Sequence, residues 1–366
     1  MSEIEKKENA EKTIEDFFRK KVRDDHKIKN AYLLVHSDPL NVHFNIAEGS
    51  TGDIPANPDQ PNYMASVGKL FTSTLVSILY EEEKLSFDDS ITSNLNQDFL
   101  NNLHVFKGED YTDKIEIRHL LNHASGLYDI FWPLVEQLLE DPELEMSPKE
   151  AIIWGKNNRK PYSVPGEEFH YTDTNYHLLG LIIEEITEMP FQDALKDYIF
   201  EPLDMNHSYM LHYSEPIKET QYQIADFFIK GTNFTELEGY AGIDYAGGGI
   251  VGPLEDLLKF MKALANNEII KEDTLEKMMK DRRKHSLGID YGYGIWQLKT
   301  IPLFMPKKYN SWGAVGATGA FMFYHPKMDT YLIGNFNDLS YEKKCLRFMG
   351  NVINRLGDFG ILSFLK

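Results

Sequence analysis

Ser66 and Lys69 stand three residues apart in Ser66-Val67-Gly68-Lys69. On a helix that spacing puts both side chains on one face, so the lysine nitrogen can reach the serine oxygen. A lysine desolvated enough to lose its proton could accept the serine's and leave an oxygen able to attack a carbonyl. The tetrapeptide alone decides nothing, because Ser340/Lys343 and Ser363/Lys366 repeat it. Its setting separates the first copy: Ser66 follows a loop and opens an apolar helix, where unpaired N–H groups and the helix dipole favour negative charge on a bound oxygen. The plain alternative is that Ser66 only caps the helix and Lys69 is solvated.

Other chemistry-bearing patterns are weaker. His119 and His123 share a helix face, but Leu120 occupies the place where a zincin carries glutamate. They read better as a helix C-terminus with a histidine near its carbonyl ends, stopped by Ser125-Gly126. Gly247-Gly248-Gly249 follows no G-x-G-x-x-G, and Tyr63 stands where a P-loop ending in Gly68-Lys69 needs glycine. The G-x-S-x-G elbow of α/β-hydrolases is absent. Cys345, the one cysteine, excludes an internal disulfide and a multi-thiolate metal centre. No metal or organic cofactor is expected.

The 366 residues carry a net charge of −19, which repels phosphate backbones and anionic lipid, so neither nucleic acid nor membrane is an expected partner. The first thirty residues mix both charge signs and lack the apolar core of a secretory signal. The longest strongly apolar stretch, 178–183, falls far short of the ~20 residues that span a bilayer. A cytoplasmic protein is expected.

Several elements must position these groups. Ile14, Phe17, Phe18 and Val22 mark one stripe of an N-terminal helix. Runs 31–37 and 41–47, separated by Asp38-Pro39, predict a hairpin. A helix is expected over 66–84, buried through Leu70, Leu75, Ile78 and Leu79. From 85 to 215 the pattern is helical and loop-rich, with helices at 115–123, 133–140, 147–157 and 174–188. Runs 320–326 and 330–336 predict a second hairpin around Lys327-Met328-Asp329, followed by a helix over 341–356. The fold class is α+β: an antiparallel sheet built from both ends of the chain and flanked by terminal helices, with an inserted all-α lobe. The expected divisions are 1–75 with 245–366 for the sheet domain and 76–244 for the helical one, with the active-site cleft between them.

Taken with IEIRHLLNHASGLYD, the P-G-x-x-F-x-Y run (Pro165, Gly166, Phe169, Tyr171), AGGGIVGPLEDLLKF and GAVGATGAF, the Ser66 tetrapeptide makes the chain resemble the serine β-lactamase and penicillin-binding protein superfamily. It looks most like the branch of class C β-lactamases, D-alanyl-D-alanine carboxypeptidases and esterases, over roughly residues 30–340. That resemblance implies a β-lactamase/transpeptidase-like fold with three motifs lining the cleft. The first gives Ser66 as nucleophile and Lys69 as base. The second, Tyr-x-Asn, falls on Tyr171-Thr172-Asp173; Tyr111-Thr112-Asp113 lacks the P-G-x-x-F-x-Y setting. A tyrosinate beside a cationic lysine would shuttle the serine proton to the leaving group. Asp173 would still accept from Lys69 while holding it protonated more firmly than an amide, which moves the base role toward Tyr171. The third motif lands on Ala314-Val315-Gly316 without its basic and hydroxyl members, leaving an apolar wall at Ala314. Gly316 is kept, and the N–H of Ala317 matches the second oxyanion donor beside that of Ser66.

The expected activity is therefore a serine hydrolase acting through an acyl-enzyme on Ser66, with a small-molecule ester, amide or peptide as substrate. D-Alanyl-D-alanine carboxypeptidase or β-lactamase activity is an alternative. A competing reading is a binding protein that keeps the cleft without turnover. Oligomeric state is left open.

Overall fold

The apolar stripe of the first thirty residues becomes one face of α1 (Glu3–Arg23), which buries Ile14, Phe18 and Val22 against the helix Cys345–Asp358. Phe17 stacks on Phe348 with ring centroids 5.3 Å apart. The computed structural model describes residues 3–301 and 306–358.

Beneath these two helices lies an antiparallel sheet. β1 (Asn30–Ser37) pairs with β2 (Val42–Thr51) on one side and with Thr330–Asn335 on the other, so that Tyr32 faces Ala47 and Asn335. The sheet runs Arg283–Ser286, Ile289–Tyr291, Trp296–Leu298, Ser311–Val315, Phe321–His325, Thr330–Asn335, β1, β2 and then β3 (Ile54–Pro55). Side-chain alternation sorts β1 between two cores: Leu33 and Val35 face the terminal helices, whereas Tyr32 and Leu34 face the interior. Both expected hairpins are present. The link between the two ends is reinforced by buried asparagines, with Asn337 Nδ2 donating to Asn30 Oδ1 at 2.6 Å and to Asn62 Oδ1 at 3.0 Å, and Asn335 Nδ2 donating to the carbonyl of Tyr63 at 2.7 Å.

The interior face of the sheet is covered by α2 (Gly68–Glu81) and by Leu254–Ala265. α2 is buried almost all round; two of its hydroxyls are satisfied by their own helix, Thr74 Oγ1 donating to the Leu70 carbonyl and Ser77 Oγ to that of Ser73, each at 2.8 Å. Beyond it lie Ile117–Leu121, Phe131–Glu140, Pro148–Asn158 and Asp173–Thr187, close to the expected helices. The helices Leu254–Ala265 and Glu272–Lys280 and the strands over 283–298 were not anticipated. Those strands are three or four residues long and half-buried, too short for a periodicity to register. Among the described residues no helix is long and apolar enough to cross a membrane.

Candidate active site

The chain enters the site from Asn62–Tyr63, a short strand held by Ile250–Gly252. Met64 donates to the Ile250 carbonyl at 2.9 Å, and Ala65 then takes a left-handed conformation, φ 48°. That conformation is costly for a residue with a Cβ, and the packing around it must hold it in place. The 3₁₀ turn Ala65–Val67 runs straight into α2, with Ser66 at its start and no side-chain cap bond. The capping role considered for Ser66 is therefore not the one it has. α2 begins at Gly68, where a Cβ would lie 2.2 Å from the Gly248 carbonyl oxygen. Only glycine permits that approach.

Lys69 is completely buried, and its ammonium donates to Ser66 Oγ at 3.1 Å, Asp173 Oδ1 at 2.5 Å and the Gly247 carbonyl at 2.6 Å. Its three protons thus have three acceptors. The rings of Tyr171 and Tyr176 lie 5.1 and 5.3 Å from Nζ, a further attraction for a cation. Burial draws the pKa of Lys69 down, but the Asp173 carboxylate, with Tyr171 and Asp244 behind it, more than reverses this and holds the group above the usual lysine range. A neutral Lys69 base, the simplest inference from the tetrapeptide, is replaced by a lysine kept cationic.

Tyr171 is pressed against His123, their centroids 4.2 Å apart. Burial pushes the Tyr171 phenol up, and the Asp173 charge adds to it; the Lys69 charge and the Ser66 hydroxyl pull it back. His123 follows its helix in a left-handed conformation, φ 57°, and its Nδ1 accepts from the Thr172 N–H at 3.3 Å. That bond places the ring proton on Nε2, and burial keeps the imidazole neutral. Of the two histidines considered for the helix C-terminus, His119 instead uses its Nδ1 to accept the Glu116 N–H at 3.1 Å and closes the first turn of Ile117–Leu121. No cluster of three metal-ligating side chains occurs among the described residues.

Asp173 opens its helix behind Thr172, whose Oγ1 accepts from Thr174 N–H at 3.2 Å, so its carboxylate benefits from the N-terminal end of the dipole. Its own N–H donates to Asp129 Oδ1 at 3.1 Å. Tyr111, the rejected alternative, puts its hydroxyl on Glu109 at 2.6 Å and lies outside the cavity wall.

The third wall is the end of Ser311–Val315. A Cβ on Gly316 would meet the Met64 carbonyl at 2.5 Å and Ala65 Cβ at 2.9 Å, so glycine lets this strand close on the nucleophile turn. Ser66, Tyr171, Asp173, Gly316 and Ala317 line one cavity of about 440 Å³. Phe131, Trp132, His285 and Trp296 supply an aromatic rim, and Asp129 a second carboxylate. Ala314 does not reach it. Strand alternation turns this residue, 1% exposed, into the core shared with Ala65 and α2, while Val315 faces the cavity. The expectation that an Ala314 methyl forms the substrate wall is corrected to Val315-Gly316-Ala317.

The Beta-lactamase family model matches residues 14–348. The chain belongs to that family. Within the Beta-lactamase family it is 25% identical to penicillin-binding protein 4* of Bacillus subtilis (strain 168), over 95% of this chain and 77% of the relative. Its fold superposes on D-amino acid amidase of Ochrobactrum anthropi SV3 with a TM-score of 0.77, at 20% identity, covering 95% and 98% of the two chains. It also superposes on EstCE1, a hydrolase with promiscuous acyltransferase activity, with a TM-score of 0.74 at 18% identity, covering 96% and 99%. Of the three Ser-x-x-Lys copies, the one at Ser66 lies in the cavity, Ser340 lies outside its lining, and Ser363/Lys366 is outside the described residues.

Sequence reasoning weighed His123 only as a metal ligand or helix end and Gly247 only as a phosphate cradle, and gave Asp129 and Asp244 no role. The triple glycine was a visible signal, discarded for the wrong ligand: a Cβ on Gly247 would lie 2.4 Å from Asp173 Oδ1, so its small size serves an internal ammonium and carboxylate.

Asp173→Asn should shift the upper limb of the pH–rate profile to lower pH. The carboxylate raises Lys69 and adds to the upward push that burial gives Tyr171, so an amide makes either proton easier to lose. A titration of kcat/KM that leaves this limb in place would remove Asp173 from the reacting network.

Proposed function

We propose that this member of the family is a serine hydrolase that forms an acyl-enzyme on Ser66 and acts on small neutral esters and amides. The observation that carries this reading is the Lys69 ammonium resting on Ser66 Oγ, inside a cavity that also holds Tyr171. The reactive form is the Lys69–Tyr171 pair with one proton removed, a phenolate beside an ammonium. Ser66 attacks the substrate carbonyl as its proton passes to Tyr171, the N–H groups of Ser66 and Ala317 take the developing oxyanion, and Tyr171 then hands the proton to the leaving oxygen or nitrogen. Water enters by the same route in reverse and releases the acid.

The wall at Val315-Gly316-Ala317 offers no cation, and Asp129 and Asp173 both present carboxylates. The lining's basic residues are His285, which burial keeps toward the neutral form, and Lys343, which is exposed beside Glu342. A carboxylate next to the scissile bond is therefore disfavoured. Short p-nitrophenyl esters should exceed D-alanyl-D-alanine peptides and cephalosporins in kcat/KM by at least about tenfold, the scale of one like-charge contact near a protein surface. The amidase and hydrolase named above agree with a small-molecule substrate. Reaction of the wild-type protein with a fluorophosphonate probe tests the whole reading; an unlabelled protein would instead be a binder that keeps the cleft. Efficient peptide hydrolysis would overturn the substrate preference.

A further inference from the structure

Asp244 is buried at the end of the helix Tyr240–Asp244, outside the cavity lining. Its Oδ2 accepts from the Tyr63 hydroxyl at 2.8 Å and from the Gly249 N–H. Tyr63 and Tyr240 share a hydrogen bond of 2.7 Å between their hydroxyls, so Tyr240 donates to Tyr63 and Tyr63 to the carboxylate. Tyr63 is three residues before Ser66, and Gly249 closes the loop whose Gly247 carbonyl receives Lys69. Gly248 lies against the same carboxylate, with room for no Cβ. The loop starts from a strained residue, Tyr245 at φ 38°, and needs holding.

We infer that Asp244 is a positioning residue whose carboxylate ties the turn presenting Ser66 to the loop that holds Lys69. This rests on the reading of Ser66 and Lys69 as the reacting pair. The ionised carboxylate accepts both hydrogen bonds strongly, and protonation weakens the tie. Burial, with the Asp173 charge, raises this carboxyl to about 7, against the Tyr63 hydrogen bond, the Lys69 charge and the Gly249 N–H, which favour ionisation. Those groups, together with the phenols of Tyr240 and Tyr213, face it from the packed elements. The tie therefore loosens as pH falls through neutrality.

The wild-type kcat/KM profile on a neutral p-nitrophenyl ester should show a lower inflection near pH 7, separate from the upper limb set by Lys69 and Tyr171. Asp244→Asn should erase that inflection and lower the plateau by roughly 10- to 100-fold, the cost of slight misplacement of reacting groups. Tyr63→Phe, which removes a hydrogen bond favouring the ionised form, should move the inflection to higher pH. A merely structural carboxylate would change thermal stability and leave the profile alone. To separate this tie from the hydrolase reading, the Nζ chemical shift of Lys69 is followed by NMR in Ser66→Ala, which needs no turnover. An inflection near neutrality that vanishes on adding Asp244→Asn supports the tie. A Lys69 signal without one, or a kinetic inflection that Tyr63→Phe leaves in place, overturns it.

Discussion

Ser66→Ala is expected to abolish covalent labelling and to lower ester turnover by roughly five to six orders of magnitude while the protein stays folded. The chemical part follows from the site: Lys69 and Tyr171 both address Ser66, and with that oxygen removed no other hydroxyl takes its place on the Lys69 ammonium. Knocking out the nucleophile of a cooperating set costs about as much as removing the whole set, on the order of 10⁶ in kcat. Stability should change by no more than ~1 kcal/mol, because Ser66 makes no capping bond whose loss would be felt. Lys69 keeps Asp173 and the Gly247 carbonyl as acceptors after the deletion. Probe labelling, a p-nitrophenyl ester assay and a melting curve read the three parts separately. Turnover near wild type would dismiss Ser66 as nucleophile.

Tyr171→Phe should slow acylation by about 10²- to 10⁴-fold, the range of a positioned acid–base group. The ring would remain packed at a tilt against His123 and edge-on to Tyr291, so the change isolates the hydroxyl from the packing. Lys69 would still be cationic through Asp173, but no relay would connect Ser66 with the leaving group. Tyr111→Phe is the matched control, since its hydroxyl serves only Glu109 on the surface. Pre-steady-state acylation rates for the two variants decide between the tyrosines. A larger effect at Tyr111 would mean that the proton relay runs elsewhere.

Much of this was legible before any coordinates. The terminal helix stripe, the two hairpins and α2 carry strong periodicity, and Ser66, Tyr171, Asp173, Gly316 and Ala317 line one cavity with Lys69 bonded to Ser66 behind it. Two kinds of information were not in the pattern. The first is the sign of an electrostatic balance: a buried lysine alone would tend to neutrality, and only the 2.5 Å contact with Asp173 shows which influence wins. The second is the service a backbone atom performs. Gly247 contributes a carbonyl and the absence of a Cβ, neither of which a residue-type motif records. Ala314 misled for a related reason, because an alignment position fixes a register but the pleat decides which of two faces a side chain occupies.

The buried asparagines that join the two ends of the sheet bear on the order in which a nascent chain becomes active. Asn335 holds the Tyr63 carbonyl just ahead of the strained turn, and Asn337 holds Asn62. Neither bond can form until some 270 residues beyond Ser66 have left the ribosome, so the nucleophile's pedestal is among the last parts to set. Contacts this distant in sequence form slowly and late. Covalent probe labelling of Ser66 during synthesis should therefore report closure of the sheet, remaining silent in chains arrested before Thr330–Asn335 emerges, even when α2 has already formed.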